Sequence, residues 1–382
     1  MSSRLRRRFW ASGAAGAAAA ATLGLAGCGG GGISGASRVT VYVSMPLHGP
    51  SAPAGRTVAR GARMALAVAG GRAGKLRVRA VYLDDTARGG GRARWSQAAV
   101  GANARRATED TSAMAYIGDF ESGATRTSEA ITNAAHLLQI SPASTAVDLV
   151  RPFLGSDQLP TVEEEGGERT FGRVIPDDQA QAVAGAVWVR KLGEKRVAVL
   201  RDSTRFGRTM AAAFREALLG ARVVHRGAQL LYYAGVAGDE PRAPIARFRG
   251  PVMASDALLE PFRAGATPEA SLATAAAQDP AQLPPAGQRF ARSYRRRYGR
   301  APERYAAYGF EAMALALDSI RRAGDSGDQR QAVVDSFFAT RGRRSVLGTY
   351  SIDAVGNTTL PRLAGYRIRA GVPGSPRLLR IR

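Results

Sequence analysis

The fold class is set by residues 39–68, VTVYVSMPLHGPSAPAGRTVARGARMALAV, which contain a strand, a turn and a helix in succession. The first five residues, Val39 to Val43, are mostly β-branched, which favours a strand. The turn that follows holds two prolines and a glycine in Pro46-Leu47-His48-Gly49-Pro50. From Gly55 to Val68 the apolar residues recur at helical spacing, so the strand should lead through this turn into a helix.

The same alternation continues along the chain. Further strand-like segments lie at 76–83, 114–118, 137–140, 171–175 and 197–200. Helical patterns lie at 95–108, 124–136, 178–192 and 207–219, and the clearest amphipathic helix covers 306–320. A Pro-, Glu- and Gly-rich pause at 150–169 divides the series. Strands that alternate with helices predict parallel sheets with helices on both faces, and the pause predicts a crossover between two α/β lobes.

The first 28 residues are typical of the precursor of an exported lipoprotein. Four arginines between Arg4 and Arg8 precede a small, apolar segment, and Leu25-Ala26-Gly27-Cys28 looks like a lipobox that ends in the chain's single cysteine. We therefore expect residues 1–27 to be a signal peptide, Cys28 to carry a diacylglycerol, and residues 28–37 to form a flexible tether. The alternative is an ordinary secretory signal with a chance cysteine. Whether export uses the general or the twin-arginine route stays open, since Arg6-Arg7-Arg8-Phe9-Trp10 resembles a twin-arginine signal.

Length and charge limit the remaining possibilities. About 355 residues follow the leader, 45% of the whole chain is hydrophobic, and this size suits two domains. The net charge of +23 would allow a nucleic-acid partner, but 51 of the 54 basic residues are arginine and they are dispersed. The exception, Arg292 to Arg300, is interpreted as the solvated face of a helix. No nucleic acid is expected as a partner, although the charge would favour contact with an anionic membrane surface.

In this order and spacing, the segments resemble the type I periplasmic binding proteins, closest to the leucine/isoleucine/valine-binding family that serves ABC importers. The matching stretches include Asp84-Asp85, Ile117-Gly118 followed by Ser122, Ile140 to Thr145, Phe206-Gly207 and Ala254-Ser255-Asp256. The resemblance covers about residues 38–370. It implies an α/β fold with two Rossmann-like lobes, whose parallel central sheets are joined by a multi-strand hinge. It divides the chain into lobe 1, residues 38–148 plus about 271–345, and lobe 2, about 149–270 plus 346–370.

The resemblance also implies a ligand site between the lobes. In the family, a serine that matches Ser122 binds the ligand carboxylate, the backbone near Ala143 and Ser144 and the hydroxyl of Thr145 hold the head group, and an acid that matches Asp256 pairs with the ligand ammonium. Phe206 matches an aromatic residue that lies against the ligand. Each position has a structural alternative: a helix cap for Ser122 and Asp256, turn chemistry for residues 143–145, and core packing for Phe206.

Two departures from the family pattern are evident. Ala54 and Val236 stand where branched-chain binders carry aromatic residues, so the side-chain pocket should differ from theirs. Only a few residues, including Gly227, separate the segments at 223–224 and 230–233, where the family has a loop and a helix. Either lobe 2 lacks one helix near 227, or residues 222–236 form one long strand or a tight hairpin.

The predicted function is therefore a lipid-anchored, extracytoplasmic solute-binding protein that traps an amino acid or related carboxylate for an ABC importer. Its partners would be a permease and an ATPase. The alternatives are a sensory or regulatory module on the same fold, or a degenerate member that no longer transports. No nucleophile elbow, P-loop, dinucleotide fingerprint or metal-ligand spacing occurs in the sequence. Neither catalysis, a cofactor nor a metal is expected.

Overall fold

The structure is a computed structural model, and it describes residues 37–87, 94–151, 169–235, 242–256, 259, 271–369 and 372–381. The predicted leader, Cys28 and Val236 lie outside these residues, and so does the tether except for Ser37. The described part contains no helix long and apolar enough to cross a bilayer. Two sheets, each covered by helices, make up its core.

The first sheet has six strands: β1 (Arg38–Met45), β2 (Arg72–Ala73), β3 (Leu76–Asp84), β4 (Ala113–Ile117), β5 (Leu138–Ser141) and β6 (Phe171–Arg173). They lie in the order β2-β3-β1-β4-β5-β6, and every pair is parallel except the β2–β3 hairpin. The helices of this lobe are α1 (Ala52–Val68), α2 (Gln97–Glu109), α3 (Ser122–Ala134), α7 (Pro285–Tyr298), α8 (Ala306–Arg322) and α9 (Arg330–Phe338). The alternation predicted from the sequence is present in this lobe.

The second sheet is mixed. Its strands are β7 (Arg196–Arg201), β8 (Arg222–Val223), β9 (Leu230–Ala234), β10 (Val252–Ala254), β11 (Ser271–Ala275), β14 (Arg362–Arg369), β15 (Val372–Pro373) and β16 (Arg377–Arg380). The order is β15-β14-β11-β10-β9-β7-β8, with β16 beside β14, and β14 runs antiparallel to β11. Helices α4 (Asp178–Leu192), α5 (Arg205–Ala217) and α6 (Arg242–Arg247) belong to this lobe, and a small hairpin pairs β12 (Arg343–Arg344) with β13 (Thr349–Tyr350).

Local sequence patterns correctly predict the two ends of α4 and the exposed end of α7. Asp177 caps α4, where its Oδ1 accepts a hydrogen bond from the Ala180 amide at 2.8 Å, and Gly193 ends the helix with φ +80°. The arginine run forms the exposed last turns of α7, as predicted. Positive side chains at that end are favoured by the helix dipole.

The division into lobes differs from the one that the sequence predicts. β6 pairs with β5 in the first sheet, beyond the predicted boundary at 148, and β11 pairs with β10 in the second sheet although it was expected in lobe 1. Residues 346–352, expected in lobe 2, supply Val346 and Leu347 to the core of the first lobe. The reason is that composition indicates a strand without indicating which sheet it will join.

The edge of the second sheet carries an unusually short connection. Residues 224–229 contain no helix, and β8 and β9 lie on opposite sides of β7, both parallel to it. The alternatives of one long strand and of a hairpin are therefore wrong. Six residues suffice because β8 pairs only with the first two residues of β7, so the link passes around that end of the strand. There the Arg196 Nε donates to the Gly227 carbonyl at 2.7 Å, and the Gln229 side chain accepts from two backbone amides.

Candidate functional site

Three loops of lobe 1 lie side by side beyond the carboxyl ends of β1, β4 and β5. This edge of an open α/β sheet is where such folds bind ligands. The loop after β4 contains Asp119, whose buried carboxylate accepts hydrogen bonds from Ser128 Oγ at 2.5 Å and Tyr116 OH at 3.1 Å. Burial raises the pKa of Asp119 to about 6, although these hydroxyls oppose the rise. The network fixes the loop that leads to Ser122.

The loop after β5 is built on the same framework. Ser144 is fully buried, shares a hydrogen bond with Thr125 Oγ1 at 2.6 Å, and donates to the Asp119 carbonyl at 3.1 Å. The amides of Ala143 and Ser144 donate to Ser141 Oγ. The Ser144 hydroxyl is thus occupied within the protein, so this residue supports the loop and does not reach the cleft.

Ser122 connects the two loops. It is the first residue of α3, and its Oγ accepts the amide of Ala146 at 3.2 Å. The preceding residue, Glu121, accepts the Ser51 hydroxyl at 3.0 Å from the start of α1. These bonds bring the first turn of α3, with its free amide groups, next to residues 143–146. A helix start of this kind suits an anion when it lies in a cleft.

The hinge lies directly beside this loop. The Asp178 amide donates to the Thr145 carbonyl at 2.9 Å, which connects the loop to the start of α4 in lobe 2. Arg173, fully buried, donates to the carbonyls of Ser144 at 3.2 Å and Ala146 at 2.7 Å and to the Asn357 side chain at 2.7 Å. Burial raises the pKa of Asp178 to about 7, against a lowering hydrogen bond from Thr145.

Lobe 2 contributes Asp256, which follows β10 at the carboxyl end of the second sheet. Gln181 Nε2 donates to its Oδ1 at 3.1 Å and to the Thr274 carbonyl at 2.8 Å, which holds the carboxylate at the hinge side of the cleft. Arg304 packs over the Tyr366 ring at 5.3 Å. Burial opposes the charge of Arg304, yet Tyr366, Tyr305 and Asp256 together raise the pKa of its guanidinium.

The aromatic residues divide between the cleft and the core. Tyr305 packs edge-on against Phe120 with 4.9 Å between the ring centroids, and the charges of Asp256 and Glu121 both reach it. It therefore lies between the acid of lobe 2 and the loop that contains Ser122. Phe206 is half-buried and packs against the core of lobe 2, which favours the core alternative noted above.

An ion pair joins a loop of lobe 1 to a helix of lobe 2. Asp148, which follows the β5 loop, lies 3.0 Å from Arg126 Nη2 in lobe 1 and 3.1 Å from Arg205 Nε at the start of α5 in lobe 2. Asp148 is almost completely buried. A buried carboxylate that bridges two arginines should favour the arrangement in which both are present. Neither Asp148 nor Arg205 was identified from the sequence, because nothing local marks two residues that meet across a cleft.

The Arg205→Gln variant should therefore open the cleft. Without ligand, the equilibrium should shift toward separated lobes, and small-angle scattering should show an increase of about 1 Å on a radius of gyration of roughly 20 Å. Arg215→Gln, at an exposed position in the last turn of α5, is the matched control. Equal radii for the two variants would show that the ion pair does not hold the lobes.

The described residues contain no cluster of three His, Cys, Asp or Glu side chains that could hold a metal ion. What the site offers is an acid from one lobe and a helix start, hydroxyls and a guanidinium from the other. This arrangement defines a two-lobe α/β protein with a polar interlobe cleft. Such interfaces favour small molecules.

Comparisons with known proteins agree with this class. Residues 38–226 match the model of a family described as periplasmic binding protein. An amino acid binding protein of Pseudomonas aeruginosa is 31% identical over 183 residues, which are 47% of this chain and 43% of that protein. The chain thus spans less than half the length of that relative.

Solved structures extend the likeness to most of the chain. A leucine binding protein from Thermotoga maritima superposes with a TM-score of 0.69 at 23% identity, over 90% of this chain and 99% of that one. An ABC transporter substrate-binding protein from Desulfitobacterium hafniense, in complex with Leu, gives 0.72 at 19% identity over 88% and 99%. Over residues 38–226 the chain is thus similar to the periplasmic binding protein family, and over most of its length it has the two-lobe α/β fold of these solved structures.

Proposed function

We propose that this chain is an extracytoplasmic solute-binding protein, anchored by lipid at Cys28, which traps an amino acid or a related small carboxylate between its lobes for an ABC importer. The observation that supports this most is the polar character of both cleft walls. Asp256 supplies a carboxylate from lobe 2, while Arg304 and the start of α3 at Ser122 supply positive potential from lobe 1. An amino acid presents the complementary pair of charges.

In this proposal the contacts of the head group are divided among few residues. Asp256 pairs with the ammonium group, Ser122 and the first amides of α3 hold the carboxylate, and Ala143 and Thr145 border the same space. Ser144 stabilises the loop that contains Ala143 and Thr145 and does not contact the ligand. The side-chain specificity would differ from that of branched-chain binders because Ala54, in the first turn of α1, leaves space where they carry an aromatic residue.

The proposal is tested by titrating the protein with each common amino acid, with binding heat and melting temperature as readouts. All described strands and helices lie after residue 37, so a chain that starts at Gly29 retains every one of them. We expect one or a few amino acids to raise the melting temperature. No response to any of them would contradict the proposal.

Asp256→Asn should weaken the binding of a responding amino acid by about 30-fold or more, because the ligand ammonium loses its enclosed partner. Asp325→Asn is the control, since Asp325 is exposed and pairs only with Lys75 among the described residues. Equal affinities for both variants would exclude Asp256 from the head-group site. A sensory module on this fold would bind in the same way, and a neighbouring sensor-kinase gene in place of permease genes would favour that alternative.

A further inference from the structure

Four arginines form one exposed surface at the end of lobe 1 that is farthest from the cleft. Arg38 in β1 is the cross-strand neighbour of Arg77 in β3, and Arg77 is in turn the neighbour of Arg72 in β2. Arg79 follows two residues after Arg77 and points to the same side of the sheet. All four are exposed. Together they line an open depression of about 510 Å³, and we call this surface the arginine face.

The arginine face lacks internal neutralisation. Within the described residues, none of its four guanidinium groups forms an ion pair with a carboxylate. Arg72 donates to the Lys75 carbonyl at 2.7 Å, while the Lys75 ammonium is itself paired with Asp325 at 3.0 Å. Like charges placed directly opposite each other destabilise a sheet. Packing gives no reason for this arrangement, whereas an external polyanion would neutralise it.

The position of the arginine face identifies the polyanion. β1 begins at Arg38, ten residues after Cys28, so the arginine face lies at the amino end of the first described strand. A random coil of ten residues would reach roughly 15–18 Å. If Cys28 is lipidated, this end of lobe 1 lies close to the bilayer. Val68, 72% exposed, ends α1 just before the glycine turn of the arginine face and offers an apolar contact beside the charges.

We propose that the arginine face docks on anionic phospholipid headgroups of the membrane that carries the anchor. The interlobe cleft lies beyond the opposite ends of the same strands, so docking would turn lobe 1's ligand-binding loops away from the bilayer. The protein would collect ligand in this orientation and would have to detach from the surface to present its cleft to a permease. The docking itself requires neither the proposed ligand nor the importer.

The test uses unlipidated protein that starts at Gly29, so binding depends on the arginine face alone. Vesicles of phosphatidylcholine with 30% phosphatidylglycerol are compared with pure phosphatidylcholine in a flotation assay. We expect binding only to the anionic vesicles and its loss between 0.05 and 0.5 M salt. Equal binding to both vesicle types, or none to either, would overturn the proposal.

Two triple variants distinguish the effect of the arginine face on vesicle binding from the effect of overall net charge. Arg72→Gln with Arg77→Gln and Arg79→Gln should weaken vesicle binding by about 100-fold, since each arginine near an anionic surface is worth roughly fivefold. Arg295→Gln with Arg296→Gln and Arg297→Gln removes the same charge from the exposed end of α7 and should change binding less than about threefold. Equal losses would show that only overall charge matters. Both variants should unfold cooperatively and give the same ligand titrations, so a failure here leaves the proposed ligand function untouched.

Discussion

Gly61→Ala is expected to destabilise the protein by about 2–3 kcal/mol, although alanine normally stabilises a helix interior by about 1 kcal/mol relative to glycine. Gly61 lies in α1 where that helix crosses α8. A Cβ atom at this position would be 2.0 Å from the Ala306 carbonyl oxygen and 2.8 Å from the Phe310 amide nitrogen. Both are backbone atoms, so the helices themselves would have to separate.

The backbones of α1 and α8 approach each other closely at a glycine of each helix. A Cβ on Gly309 of α8 would be 2.2 Å from the Val58 carbonyl oxygen of α1. The two glycines therefore let the helix backbones approach over the first sheet, and separating them would loosen the packing of Val58 and Ala62, both fully buried. Interiors packed this densely transmit such strain and do not absorb it.

Gly101→Ala in α2 is the control for this prediction. The nearest atom to a Cβ there is the flexible guanidinium of Arg105 at 3.3 Å, so alanine should stabilise the helix by up to about 1 kcal/mol. Urea unfolding of the two variants gives the free energies of unfolding. A midpoint for Gly61→Ala as high as that for Gly101→Ala would disprove the close crossing of α1 and α8.

Asp85→Asn is expected to raise the free energy of unfolding at pH 8 by about 2 kcal/mol or more. Asp85 follows β3 and is fully buried, and neither carboxyl oxygen has a hydrogen-bond partner within the described residues. Burial raises its pKa to about 9, and the charges of Asp119, Asp84 and Glu121 add to the rise. The folded protein therefore keeps this proton at neutral pH.

The direction in which stability changes with pH follows from the number of protons that the folded and unfolded states bind. In the unfolded chain an aspartate has a pKa of 3.8, so between about pH 4 and pH 9 the folded state binds one more proton at Asp85 than the unfolded state does. Stability must therefore fall as pH rises through this window. Asparagine cannot ionise, so the variant should lose this part of the pH dependence and gain most at high pH.

Other buried acids also cause stability to fall as pH rises. Burial raises the pKa of Glu129 to about 8, that of Asp178 to about 7 and that of Asp119 to about 6. Wild-type stability should thus decline between pH 5 and pH 9, and Asp85→Asn should flatten part of that decline. The measurement is urea unfolding at unit pH steps over this range.

Asp84, the residue before Asp85, supplies a control whose substitution should change stability in the opposite direction. Partial burial opposes ionisation of Asp84, but hydrogen bonds from His48, the Leu47 amide and Thr86 prevail and lower its pKa. Its contribution to stability is present above the unfolded pKa and is lost as pH falls through the lowered value. Asp84→Asn should therefore destabilise the protein at pH 8. If Asp85→Asn were less stable than the wild type at the same pH, the prediction that Asp85 is buried as a neutral acid would be contradicted.

The candidate site was predictable only as a set of loops. Position after a strand placed residues 122 and 143–145 at the carboxyl edge of the first sheet and residue 256 at that of the second, because parallel strands of one sheet end together. It did not show that the Ser144 hydroxyl bonds inward to Thr125, or that Phe206 packs on the core of lobe 2. Those outcomes depend on which way a side chain turns among neighbours distant in sequence.

The alternation of strands and helices, the capped ends of α4, the amphipathic helix at 306–320 and the solvated arginine turns of α7 can all be predicted from local sequence. These features depend on spacings of two to four residues, which backbone geometry turns directly into structure. Long-range packing, in contrast, sets which sheet receives β6 and β11, how Asp148 meets Arg205, and that Arg38, Arg72 and Arg77 share one surface. These features arise when strands and lobes far apart in the chain come into register, and no local periodicity encodes that register.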